Sequence, residues 1–163
     1  MVVWIIGMSG SGKTTTGLAL KKLLEAGGKT VVHLDGDEVR DVWSDDLGYT
    51  MEDRRRNHTR LSKLSRLLGK TKGIVVVVSA LSIFRDLQKW NKENIGEYRL
   101  VFLDAGMTLL KERDVKHVYD EGNKNVVGRD ISFPAPYEPD LVIGESGLRK
   151  EPAVIAGKIA AIL

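Results

Sequence analysis

The 163-residue chain contains no cysteine. That excludes a disulfide-stapled scaffold, a thiol nucleophile and Cys-ligated zinc, and it fits a reducing compartment. Aromatic residues make up only 6% and there are four prolines. Long hydrophobic runs are also missing. The most continuous ones, residues 2–6 and 74–78, fall far short of the ~20 apolar residues that span a bilayer. Residues 2–6 are too short for the core of a secretory signal, and no basic segment precedes them. A cytoplasmic protein without a membrane anchor is the expectation. Neither sign of charge dominates: 25 Lys and Arg face 22 Asp and Glu, for a net charge of +3. The two signs are interspersed, so the concentrated basic face of a nucleic-acid binder is absent. The three histidines show no metal-ligand spacing. No internal repeat or linker breaks the chain, and its length suits one domain with one core.

What the chain does have is alternation. Apolar strand-like runs at residues 2–6, 30–34, 74–78, 99–103 and 141–143 are separated by helical stretches at 13–26, 51–70, 87–93, 109–113 and 152–163. In the longest helix Leu61, Leu64, Leu67 and Leu68 make an apolar stripe. Short apolar strands alternating with helices predict an α/β fold of three layers, with a five-stranded parallel sheet covered on both faces. Residues 115–139 interrupt the alternation. This polar stretch carries Gly122, Gly128, Pro134, Pro136 and Pro139, and a loop so long inside a compact domain predicts a lid.

The first strand runs straight into Gly7-Met8-Ser9-Gly10-Ser11-Gly12-Lys13-Thr14, followed by Thr15. This fits G-x-x-x-x-G-K-[ST] in its required context, with a strand before it and a helix after it. Glycines let backbone N–H groups turn inward around phosphates, and the following helix adds the positive end of its dipole. Lys13 can reach the β- and γ-phosphates, and the Thr14 hydroxyl can ligate Mg²⁺. Gly7, Ser9, Gly10, Ser11, Gly12, Lys13, Thr14 and Thr15 are therefore the candidate ATP site. A P-loop kinase using ATP and Mg²⁺ is the expectation.

The second strand ends in Asp35-Gly36-Asp37-Glu38-Val39-Arg40. Ligands of parallel sheets sit at the carboxyl ends of the strands, so Asp35 and Asp37 are expected to face the phosphates. A carboxylate there can orient Mg²⁺ or take a proton from an acceptor hydroxyl; a polar turn capping the next helix is the plain alternative for Asp35. No acid ends the run 74–78, where many P-loop enzymes place one. Ser79 stands there instead, which moves the metal duty to Thr14 and the Asp35/Asp37 pair. Asp104, at the end of the fourth strand, reads as a structural or supporting residue.

These segments together resemble the adenylylsulfate (APS) kinase family over nearly the whole chain. Residues 34–40 are similar to its L-D-G-D-N-V-R. Asp46-Leu47-Gly48-Tyr49, then Asp53-Arg54 and Asn57, resemble D-L-G-F, D-R and E-N. Ser82-Ile83-Phe84-Arg85 resembles S-P-Y-R, residues 112–119 resemble the opening of its lid, and residues 139–143 resemble P-E-L-V-I. The resemblance implies transfer of the ATP γ-phosphoryl group to the ribose 3′-hydroxyl of a small nucleotide acceptor by a homodimer. It implies catalytic duty for Asp37 as base or metal-linked group, beside Lys13 and Asp35. It also implies acceptor contacts at Arg40, Tyr49, Arg54, Asn57, Ser82 and Lys116. Departures gather at the acceptor end: Glu38 replaces asparagine, Ile83 replaces proline, the lid is shorter, and Val126 stands where the family's lid phenylalanine stacks on the base. Residues 81–84, Trp90-Asn91 and 125–131 resemble a divergent branch, the cytidine diphosphoramidate kinases.

Other classes are weaker fits. A GTP-binding switch needs N-K-x-D, and Asn91-Lys92-Glu93-Asn94 lacks the Asp. A regulator without catalysis does not need Lys13, Thr14, Asp35 and Asp37 together. A polynucleotide kinase would use Arg54, Arg55 and Arg56 as a nucleic-acid face, but no aromatics are interleaved with them.

Overall fold

The computed structural model describes residues 1–43, 46–114, 117–120, 122 and 125–163. Five parallel strands form one sheet in the order β2-β3-β1-β4-β5. The strands are β1 (Val2–Ile6), β2 (Thr30–Asp35), β3 (Ile74–Ala80), β4 (Tyr98–Asp104) and β5 (Leu141–Gly144). The helices are α1 (Lys13–Ala26), α2 (Gly36–Val42), α3 (Met51–Gly69), α4 (Arg85–Asn94), α5 (Met107–Glu112), α6 (Glu145–Leu148) and α7 (Pro152–Ala160).

The layering follows from strand periodicity. Successive side chains of a strand point to opposite faces. In β1, Val3 and Ile5 join one core with Leu20, Val77, Leu109, Ile155 and Ile159. Val2, Trp4 and Ile6 join the other with Val76, Val78, Leu61 and Leu100. A strand flanked on both faces has no room for polar residues, which is why β1 is apolar throughout and wholly buried.

Two elements were not legible as such in the sequence. Residues 36–42 form α2, whose N-cap Asp35 accepts from the Asp37 backbone N–H at 2.9 Å. Residues 145–148 form the short α6. The α3 stripe is also narrower than expected. Leu61 is buried, but Leu67 is 64% exposed, because positions six apart on a 3.6-residue turn do not share a face. In the described part of 115–139, the pairing is a single bridge, Val127 to Ile131.

Helix α1 carries a glycine in its interior, where glycine costs ~1 kcal/mol relative to alanine. Packing explains it. A Cβ on Gly17 would lie 2.4 Å from Ser79 Oγ and 2.6 Å from His33 Nε2. The substitution Gly17→Ala is therefore expected to destabilise the fold by ~1–3 kcal/mol despite the better helix former. The shift in urea midpoint at constant m-value measures it.

No described helix is long and apolar enough to cross a membrane.

Candidate active site

The loop between β1 and α1 and the turn after β2 meet at the carboxyl edge of the sheet. They open one cleft of about 900 Å³. Ser9, Gly10, Ser11, Gly12, Lys13, Thr14 and Thr15 line its donor end. Gly12 sits at the N-cap of α1 with φ 91°, a left-handed conformation that favours glycine, and no side chain caps the helix. The contrast with α3 is informative. There Thr50 and Asp53 form a reciprocal capping box that satisfies the first amides. The first turn of α1 has no side-chain cap and no acid, so its amides and dipole remain available to an anion. Lys13 Nζ donates to the Met8 carbonyl at 2.8 Å, and the Tyr119 hydroxyl donates to the Ser9 carbonyl at 2.9 Å. Burial pushes the Tyr119 phenol up to about 12, so it stays a donor. Gly7 lies behind the loop and off the cleft wall; a Cβ there would meet Ser11 Oγ at 2.6 Å and the Leu103 carbonyl at 2.8 Å.

Asp35 links the two halves. One carboxylate oxygen accepts from Thr14 Oγ1 at 2.6 Å and the other caps α2 through the Asp37 N–H. Asp35 is thus the N-cap of α2, the plain alternative, and it also lines the cleft. Asp37 follows on the cleft wall, exposed. Among the described residues no three Asp, Glu, His or Cys groups gather into a metal cage. A hydroxyl beside a carboxylate still fits Mg²⁺, which keeps waters and binds through one or two side-chain oxygens plus phosphate oxygens. Thr14, Asp35 and Asp37 are the residues placed to hold it.

Arg40, Tyr49, Arg54, Asn57, Ser82 and Val126, the expected acceptor contacts, all line the same cleft. Lys116 lies outside the described residues. The Tyr49 ring is 63% exposed yet held, with the Arg40 guanidinium 4.8 Å and the Arg54 guanidinium 5.7 Å from its centroid. Arg54 also donates to the Tyr49 carbonyl at 3.1 Å and to the Asn125 carbonyl at 3.3 Å, tying α3 to the 125–131 turn. Burial, then the neighbouring Arg40, pulls Arg54 below the ordinary arginine range. Two guanidiniums this close favour an anionic ligand between them. Arg40 Nε and Asn57 Oδ1 are buried without a hydrogen-bond partner, which marks polar capacity that a ligand can fill. Ser82 adopts φ 49°, held by the Trp4 indole N–H donating to its hydroxyl at 2.8 Å and Gln88 donating to its carbonyl at 2.6 Å. A non-glycine residue kept in that region typically stores ~1–3 kcal/mol of strain, and such residues cluster at ligand sites.

Sequence reasoning missed several cleft residues. His58 and Phe84 stand beside Asn57 and Ser82 on the acceptor wall, and Arg113, Leu148, Lys150 and Ile155 close the donor end. Arg113 lay inside the lid-opening motif and was readable. Phe84 lay inside the Ser82–Arg85 motif and was readable too; Leu148, Lys150 and Ile155 arrive from α6, α7 and the turn between them by tertiary packing alone, and His58 sits on α3 at a position that looked like plain helix.

The adenylylsulphate kinase family pattern matches residues 1–144. The adenylyl-sulfate kinase of Rippkaea orientalis is 36% identical over 141 residues, covering 86% of this chain and 77% of that protein. The cytidine diphosphoramidate kinase of Campylobacter jejuni is 34% identical over 169 residues, covering 98% of this chain and 96% of that protein. In three dimensions the chain is similar to the Mycobacterium tuberculosis APS kinase CysC in complex with AMPPNP and APS. The TM-score is 0.89 with 27% identity, over 99% of this chain and 95% of that one. With its phosphate loop, its paired aspartates and this match over most of its length, the chain belongs to the adenylylsulphate kinase family of ATP-dependent phosphotransferases.

Proposed function

We propose that the chain transfers the γ-phosphoryl group of ATP to the ribose 3′-hydroxyl of a nucleotide, and that this acceptor is a cytidine nucleotide such as cytidine diphosphoramidate. The observation that carries the reading is the single continuous cleft. The first turn of α1 with its uncapped amides, the Arg40–Tyr49–Arg54 group and Asp37 all line it. Two guanidiniums suit the anionic part of an acceptor nucleotide, and Tyr49 offers its base a ring to stack on. Asp37 receives the proton of the acceptor hydroxyl. The hydroxyl oxygen bonds to the γ-phosphorus, the bond from that phosphorus to the bridging oxygen breaks, and ADP leaves. Lys13 and the α1 amides hold the β- and γ-oxygens. Bound Mg²⁺, held by Thr14 and the aspartates, would neutralise charge on those oxygens. By family resemblance the enzyme is read as a homodimer of the cytoplasm.

The cytidine reading draws on two observations. Val126 offers no aromatic surface to a purine, and the Campylobacter jejuni protein aligns nearly end to end. Adenylylsulfate is the second reading, favoured by the names of the Rippkaea orientalis and Mycobacterium tuberculosis proteins. A coupled ADP-release assay over both acceptors with ATP and Mg²⁺ separates them. Turnover with cytidine diphosphoramidate is the expected result; strong turnover with adenylylsulfate and none with the cytidine compound overturns it. In the same assay Tyr49→Ala is expected to raise the acceptor KM ~5–100-fold, the value of one base stack, and to leave the KM for ATP unchanged.

A further inference from the structure

Two groups beneath the phosphate loop have no part in the chemistry above. Ser79, the last residue but one of β3, lies between Asp35 of β2 and Ile5 of β1 in the strand register, and it is 2% exposed. Its hydroxyl donates to the backbone carbonyl of Lys13 at 3.0 Å. It also lies 2.9 Å from His33 Nε2. A serine has one hydroxyl proton, and the Lys13 carbonyl takes it. His33 must therefore be the donor in the second bond, which assigns its proton to Nε2. The three groups form a directed chain, from imidazole N–H to hydroxyl to carbonyl.

That carbonyl belongs to the peptide joining Lys13 to Thr14, in the first turn of α1. On either side of this peptide stand the ammonium that meets the β- and γ-phosphates and the hydroxyl that meets Asp35. Fixing its plane fixes both side chains and the first-turn amides together. The close approach is built in, because Gly17 leaves the space that any Cβ would take from both Ser79 Oγ and His33 Nε2. Where a carboxylate at the end of β3 would add charge near the metal, this pair supplies a hydrogen bond without charge.

We propose that His33 is a positioning residue of the donor site, acting through Ser79 to hold the Lys13–Thr14 peptide in the orientation that receives Mg·ATP. The inference rests on reading the loop as the ATP site, and the test keeps the two apart. His33→Leu removes the donor. His33→Gln restores an N–H at similar reach. Ser79→Ala removes one oxygen, and so reads the same loss even if the leucine side chain disturbs packing. The double variant His33→Leu/Ser79→Ala completes the cycle. Binding of AMPPNP with Mg²⁺ is measured by titration calorimetry, KM for ATP and for the acceptor by steady-state kinetics, and folding by the thermal midpoint.

His33→Leu and Ser79→Ala are each expected to weaken AMPPNP binding and raise the ATP KM ~3–10-fold, the range of one buried hydrogen bond, with the acceptor KM unchanged. His33→Gln should return to within ~2-fold of the parent, and the double variant should be no worse than the worse single one, as for residues acting in series. The proposal is overturned if His33→Leu binds AMPPNP like the parent, if the glutamine does not rescue, or if the two losses add. A parent chain that does not bind AMPPNP overturns the reading of the loop itself, and this chain of bonds with it.

Discussion

Asparagine in place of Asp37 is expected to lower kcat ~10²–10⁴-fold, the range for losing a positioned general base, while Mg·AMPPNP binding changes ~3-fold or less. Asp37 is the second residue of α2, and its backbone N–H is clamped by Asp35 at 2.9 Å, so its Cα is fixed relative to the phosphate loop. It lines the cleft together with the phosphate loop, Arg40 and Arg54. Asparagine keeps the volume, the backbone cap and an oxygen that can still ligate Mg²⁺, but it cannot take a proton. The same change at Asp35 should behave differently. Asp35 is 7% exposed and carries both the Thr14 hydroxyl and the α2 cap, so Asp35→Asn should raise the ATP KM as well as lower kcat. Two aspartates two residues apart thus predict two kinetic signatures. Turnover that survives Asp37→Asn shows that the proton goes elsewhere. A large loss of AMPPNP affinity that excess Mg²⁺ restores shows that Asp37 serves the metal rather than the proton.

The donor end of this cleft was legible because its information is local. A strand, a glycine loop and a helix are consecutive in the chain, and the physics of phosphate binding asks for nothing else. The acceptor end was legible only through resemblance, because its residues come from α2, α3, the turn after β3 and the 125–131 turn. Nothing in the spacing of Arg40, Tyr49 and Arg54 announces that two guanidiniums will meet at one ring. The α2 helix was hidden by its own start, since Asp-Gly-Asp has the composition of a turn, and the helix exists because Asp35 caps it. The parallel sheet and its two covered faces were predictable from the alternation of short apolar runs with helices; the strand order was not. The exposure of Leu67 was not, because a leucine count ignores the 3.6-residue turn.

Acidification is expected to unfold this protein earlier than its carboxylates alone would, and His58 is the reason. Its ring is buried between Trp4, at 5.3 Å between centroids, and Phe84, at 6.1 Å, and neither ring nitrogen has a hydrogen-bond partner. Burial pushes its pKa down from 6.5 to about 3, with Asp86 raising it and Arg55 lowering it by less. In the unfolded chain the ordinary value returns. Between these two values the unfolded state binds a proton that the native state does not, so stability falls as pH falls. The full neutral-state contribution is present above pH 6.5 and is lost progressively toward pH 3. At ~1.4 kcal/mol per pH unit the loss reaches about 4–5 kcal/mol, set against total stabilities of ~5–15 kcal/mol for domains of this kind. His33, whose pKa burial also lowers, adds to the slope with the same sign. The paired carboxylates Asp46, Asp53, Asp86 and Asp130 lose their stabilisation only as pH falls below their unfolded value near 3.8. A window from about pH 4.5 to 6.5 therefore isolates the histidines. Urea unfolding free energies across it should fall by ~2–3 kcal/mol for His58 in the parent, and His58→Leu should remove that part of the slope. Parallel slopes in parent and variant would mean that the imidazole charges without unfolding the wall it stands in. A steep parent slope that His58→Leu flattens ties the acid stability of the whole domain to one imidazole in the wall shared by Asn57, Ser82 and Phe84.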